Sequence, residues 1–140
     1  MKTTNKFGLR FHHLGLAVKE PEDALRLLMG MGYKVAVTVR DPLQNVNLAL
    51  CTRRGMPAIE IISATETPGP LAEILKSNAS RIYHICYESK NLERSLNAME
   101  REGNRVLLIS PPKPAALFGG RHVSFHLVSG FGMIEILETV

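Results

Sequence analysis

What this chain has little of bounds it first. Aromatic residues make up 6% of its 140 positions and its Lys and Arg residues are scattered, so a net charge of +4 does not mark a nucleic-acid binder. That charge favours a small anionic ligand instead. Cysteine occurs only at Cys51 and Cys86, inside strand-like runs without metal-type spacing, which predicts buried reduced thiols rather than a disulfide. No apolar run approaches the roughly 18 residues a bilayer span needs, and the start MKTTNKFGLR lacks a signal peptide's apolar segment. A cytoplasmic protein without a membrane partner is expected. The rest of the composition, 45% apolar and 21% charged, is that of one globular domain.

What is present starts with FHHLGLAV, Phe11 to Val18, an eight-residue run with strand character. Strand side chains alternate between faces, so Leu14, Leu16 and Val18 share one side, and His13, Gly15 and Ala17 the other. The second side offers an imidazole with room beside it. Residues 1–10 read as a tail. Lys19-Glu20-Pro21-Glu22-Asp23 then opens a helix, with Pro in the first turn and acids at the positive end of the dipole. Ala24, Leu25, Leu27, Leu28 and Met31 form its apolar stripe, and Gly30 and Gly32 stop it. Strands follow at Tyr33–Val39, at Val46–Cys51 and at Pro57–Ser63, and a short helix over Leu71–Lys76 leads to the second half.

That half repeats the order: strand 82–88, helix 91–102, strand 105–109, a loop from Ser110 to Gly120, strands 121–128 and 131–138. At a fixed offset of 71 residues His13 falls on His84, Glu22 on Glu93, Leu25 on Leu96, Gly32 on Gly103 and Val35 on Val106. The longer loop then shifts the register by four, and Glu60 corresponds to Glu135. Each half reads βαβββ, and a repeat of this length signals a duplicated architecture. We expect one α+β domain over residues 11–139, built of two tandem modules, 11–64 and 81–139.

Each module places one His on its first strand and one Glu on its last. A carboxylate between two isoleucines, as at Glu60 and Glu135, is costly unless paired, exposed or metal-bound. Two imidazoles and two carboxylates without thiolate suit Zn, Ni, Co, Mn or Fe. If the modules pack about a pseudo-twofold axis, all four side chains converge, and a divalent metal site is expected.

The segments HHLGLAV, IEIIS, RIYHICYES and GMIEILE, with the βαβββ repeat, resemble the vicinal oxygen chelate superfamily over about Phe11 to Glu138. That family includes glyoxalase I, methylmalonyl-CoA epimerase, extradiol dioxygenases and bleomycin- and fosfomycin-resistance proteins. Phe118-Gly119-Gly120-Arg121-His122-Val123-Ser124-Phe125 is similar to the epimerase members in particular. The resemblance implies a glyoxalase-like cleft with a metal on its floor, held by His13, Glu60, His84 and Glu135. It also implies a homodimer acting on a small-molecule substrate such as a CoA thioester. The expected activity is metal-dependent proton transfer, of isomerase, epimerase or lyase type, on a small carbonyl or acyl-thioester compound. A glyoxalase I-like lactoylglutathione lyase, a ligand-sequestering resistance protein and a dioxygenase are the alternatives. Glu135 is the expected base. Asn47, Arg121, His122 and His126 are the expected substrate contacts. One position departs from the epimerase pattern: Leu43 stands where a second basic Glu is expected, and Asp41 lies near it across a proline.

Overall fold

The computed structural model describes residues 5–67, 69–76 and 80–139. The first four residues of the expected tail, and parts of the connection between the halves, lie outside that range. By packing, the chain divides into a unit of His13–Tyr83 and a unit of Met1–His12 with His84–Val140. The fold is α+β; the second half has the order βαβββ, and the first differs in that its second strand is split in two.

The first unit takes most of β1 (Leu9–Val18), then α1 (Pro21–Gly30), β2 (Lys34–Val35), β3 (Val39–Asp41), β4 (Val46–Thr52), β5 (Ile59–Ala64) and α2 (Pro70–Ile74). Its strands run β2-β4-β5-β1, with β3 also on β4; β5 is parallel to β1 and antiparallel to β4. The single strand expected over Tyr33–Val39 is in fact two. Lys34 and Val35 pair with Thr52 and Cys51, whereas Val39 pairs with Leu48, a register change of one residue. Such an extra residue bends the strand locally.

Helix α1 has Pro21 at its start and Glu22 and Asp23 in its first turn, and Gly32 follows it at φ +86°. That conformation is ordinary only for glycine. Leu28, with Ala24 and Leu25, packs on Val18, Tyr33, Ala49, Cys51 and Ile61. The buried stripe is narrower than expected, since Leu27 and Met31 are 64% and 44% exposed. Leu27 sits on the flank of the helix and Met31 is its C-cap. Burying Leu28 alone contributes about 2 kcal/mol.

The second unit takes most of β6 (Ser80–Ser89), then α3 (Leu92–Arg101), β7 (Val106–Pro114), a 3-10 turn (Ala116–Phe118), β8 (His122–Val128) and β9 (Gly132–Glu138). Strand order is β6-β9-β8-β7, with β6 and β9 parallel and the others antiparallel. The expected loop from Ser110 is shorter than the sequence implied. Strand β7 continues to Pro114, with two irregularities in its pairing to β8. Its three prolines are tolerated because β7 is paired on one side only and Pro111 and Pro112 fall in the irregularity between Ser110 and Lys113. Asn91 caps α3 by accepting from the Arg94 N–H at 3.0 Å. Met99, Val128, Ile134 and Ile136 pack with Leu9, which belongs to strand β1 rather than to a tail.

Candidate functional site

In the first unit the parallel pairing of β1 and β5 sets Gly15 beside Glu60. His13, two residues before Gly15, is on the same face. Its Nε2 lies 3.6 Å from Glu60 Oε2. Both residues are enclosed, at 0% and 3% exposure. Sequence alternation grouped His13, Gly15 and Ala17, and in the structure all three are buried. This face is buried, while Leu14 and Leu16 opposite are only half-buried.

The second unit repeats this geometry. Parallel pairing of β6 and β9 sets Cys86 beside Glu135, and His84 precedes Cys86 by two residues. His84 Nε2 is 3.2 Å from Glu135 Oε1, and both are buried. Phe125 lies directly across from Glu135 on β8, and its ring meets His84 edge-on at 5.3 Å. The register is thus the same in both units: an imidazole diagonal to a carboxylate across two parallel strands.

An imidazole nitrogen and a carboxylate oxygen bound to one tetrahedral divalent ion sit roughly 3.4 Å apart, given metal–ligand bonds of about 2.1 Å. The two pairs, at 3.6 and 3.2 Å, have that spacing. The first is too long for a direct hydrogen bond between its members. Each pair offers one nitrogen and one carboxylate oxygen without thiolate, donors that suit Zn, Ni, Co, Mn or Fe.

The other sequence candidates sit elsewhere. Directly paired residues share a face, so Leu50 accompanies Glu60 and Phe125 accompanies Glu135. Asn47 therefore lies on the opposite face of β4, with Ala49 and Cys51, and His122 and His126 lie on the opposite face of β8. Both sets alternate away from the carboxylates, so the expectation that these three residues line the same surface is corrected. His126 is buried, shares a 2.9 Å hydrogen bond with Ser124 Oγ, and is held below its ordinary pKa by that burial. His122 is exposed.

Arg121 is likewise committed. Its guanidinium donates to Glu88 Oε2 at 2.6 Å and to the Glu138 carbonyl at 3.0 Å. Glu88 also accepts from Arg10. Burial alone would raise the Glu88 carboxyl, but hydrogen bonds from Arg10 and Arg121, with the nearby charges of His12 and Arg10, bring it below its ordinary pKa. Sequence reasoning missed this triad, although alternation from His84 reaches Glu88 in two steps. Asp41 is buried and accepts from the Leu43 and Gln44 backbone N–H groups and from Gln44 Nε2. It fixes the turn that leaves Leu43 56% exposed. Both cysteines are buried and outside any disulfide, as expected, and burial raises the Cys51 thiol pKa.

Residues 12–125 match the Glyoxalase/Bleomycin resistance protein/Dioxygenase superfamily, and the chain belongs to that family. It is 28% identical over 109 residues to an ethylmalonyl-CoA/methylmalonyl-CoA epimerase of Cereibacter sphaeroides, covering 76% of this chain and 81% of the relative. Among solved structures it is similar to a hypothetical protein from Bacillus halodurans, with TM-score 0.78 and 24% identity over 94% and 95% of the two chains. It is also similar to methylmalonyl-CoA epimerase from Mycobacterium tuberculosis, with TM-score 0.76 and 18% identity over 100% and 93%. A further methylmalonyl-CoA epimerase, solved with methylmalonyl-CoA and NH4+, gives TM-score 0.72 and 18% identity over 94% and 95%. These structures share the fold.

Proposed function

We propose that this member of the glyoxalase superfamily is a metal-dependent enzyme that moves the proton on the carbon next to a thioester carbonyl, as an isomerase or epimerase of acyl-CoA. In this reading His13, Glu60, His84 and Glu135 would be the ligands of one divalent cation. The observation that carries this reading is the repetition of one buried His–Glu pair, at one register, in both halves. The similarity to a curated epimerase supports the substrate class.

Such a cation would supply Lewis-acid stabilisation for negative charge on the substrate oxygen. Glu135 accepts the α-proton: the C–H pair shifts toward the carbonyl, and the carboxylate becomes a carboxylic acid. Phe125 and the buried surroundings of Glu135 exclude water, which strengthens every charge interaction at this point. Returning the proton to the same carbon completes exchange. Inverting that carbon requires delivery from the other face, and Leu43 carries no acid for it. Glyoxalase-type lyase chemistry needs the same abstraction and is the second reading.

The test is exchange of the α-proton of an acyl-CoA for solvent deuterium, together with elemental analysis of the purified protein. Zn, Ni, Co or Mn with exchange supports the reading. Iron with oxygen consumption, or no metal with ligand binding alone, replaces it by dioxygenase or sequestration chemistry. Assembly belongs to the same proposal. Leu107, Leu108 and Ile109 are exposed on the edge strand β7, and pairing two copies to a homodimer protects such an edge. Sedimentation as a monomer at micromolar concentration contradicts it.

A further inference from the structure

A groove of about 410 Å³ opens in the second unit where β6 hands over to α3. Lys6, Arg10, Lys90, Arg94 and Arg101 line it, and Glu88 is the sole acid in its wall. Arg10 and Arg121 already meet the Glu88 charge. Lys6 pairs with Glu102 at the exposed rim. Lys90, Arg94 and Arg101 take part in no ion pair among the described residues. The first turn of α3, with Asn91 and Arg94 in the same wall, adds its positive dipole end. Cations gathered on one concave surface repel each other unless an anion sits among them. No function described above uses this charge.

The groove also lies at a useful distance from the chemistry. His84 and Glu88 are on one strand and one face, and four residues of extended chain span about 13 Å. The α3 wall bonds Ser89 on the opposite face, so an acyl group at Glu135 and an anionic group at Lys90 would be two ends of one long ligand that passes over the end of β6. A thioester joined to a nucleotide through a flexible arm has that form, with its phosphates far from its reacting carbon.

We infer that this groove binds the phosphate end of the acyl-CoA thioester, an assignment that rests on the substrate class proposed above. Lys90 and Arg94 make the main phosphate contacts, with the α3 N-terminus behind them. Arg10 is held in place by Glu88 and closes the side toward β6.

The probe is adenosine 3′,5′-bisphosphate, which carries phosphates but no acyl group, titrated by calorimetry into the full-length protein. Saturable binding is expected, unchanged by chelator and weakened by added salt. Lys90→Glu with Arg94→Glu should weaken it about tenfold or more, the loss of a charge-assisted contact, while Lys90→Arg retains it. Both positions are exposed, and thermal melts and metal content should match the parent protein. An intact acyl-CoA should compete with the bisphosphate and lose affinity by the same factor in the double variant. Absence of bisphosphate binding, or binding indifferent to the charge reversals, overturns the inference. Bisphosphate binding that no acyl-CoA displaces also overturns it and leaves a site for a free nucleotide. Competition by acyl-CoA without any α-proton exchange would defeat the proposed chemistry alone and uphold the groove.

Discussion

In the first unit Ala17, Ala49 and Cys51 occupy the places that Glu88, Ser124 and His126 hold in the second, by the same strand pairings. Ala17 pairs with Ile62 as Glu88 does with Leu137, and Cys51 pairs with Ile59 as His126 does with Ile134. The surroundings have diverged from apolar to polar while the His–Glu pair and its register have stayed. Of these, only Ala17 and Glu88 share the face of the pair; Ala49, Cys51, Ser124 and His126 lie on the opposite face. The comparison also separates two kinds of buried polarity. In the second unit Ser124 and His126 satisfy each other, and Glu88 is met by two guanidiniums. His13 with Glu60, and His84 with Glu135, each have the spacing of two ligands on a divalent ion.

The sharpest way to break the symmetry is to treat the two carboxylates alike. With saturating metal, Glu135→Gln should slow α-proton exchange by about 10²–10⁴-fold, the range of a lost general base. Glu60→Gln should weaken metal binding and recover most of its exchange as metal is added. Equal behaviour of the two variants would remove the distinct role given to Glu135. His84→Ala should lose bound metal, and with it the part of the thermal stability that a chelator removes.

A smaller effect comes from making the second unit like the first at Glu88. Glu88→Ala should cost about 2 kcal/mol in urea unfolding, below the 3–5 kcal/mol of a fully buried pair because Arg10 is nearly half exposed. A loss under 0.5 kcal/mol would show the triad to be an ordinary surface cluster.

The helices differ in the same direction. Asn91 caps α3, whereas Glu20 at the head of α1 makes no side-chain cap bond. Asn91→Ala should cost about 1 kcal/mol, and Glu20→Asn should gain up to about that amount. Thermal melts of both variants check the pair.

The smallest difference is one of pH. The folded pKa of His126 lies below its ordinary value of about 6.5, so the unfolded chain binds this proton first as pH falls. The stability is present above that value and declines as pH falls below it. His126→Cys, which copies the first unit, should flatten the decline between pH 7 and 5 in urea titrations. Glu88 acts in a lower window: its depressed folded pKa gives stability that is lost only as pH falls below about 4.3.

Much of this was legible in the chain, because alternation and repetition are local. The two-residue period grouped His13 with Gly15 and Ala17. The offset between halves matched Glu60 to Glu135 through a loop of different length. Gly32 and Gly103, at φ +86° and +90°, marked both helix ends. Where reasoning failed, it asked a local pattern about a distant partner. Arg121 looked like a ligand contact because nothing nearby in sequence told of Glu88, 33 residues away. Asn47, His122 and His126 were chosen for polarity, whereas the face each one takes depends on which residue of the neighbouring strand it opposes.

The sequence by itself determined the element order, the duplication and the four residues able to hold a metal, since each follows from side-chain chemistry and spacing along one strand or helix. Only the tertiary structure decided which face of β1 is enclosed, that β7 runs on through its prolines, and that five cations line one groove along α3. Each of these depends on what packs beside a segment, and hydrogen bonding and burial between distant residues leave no periodic trace in the chain.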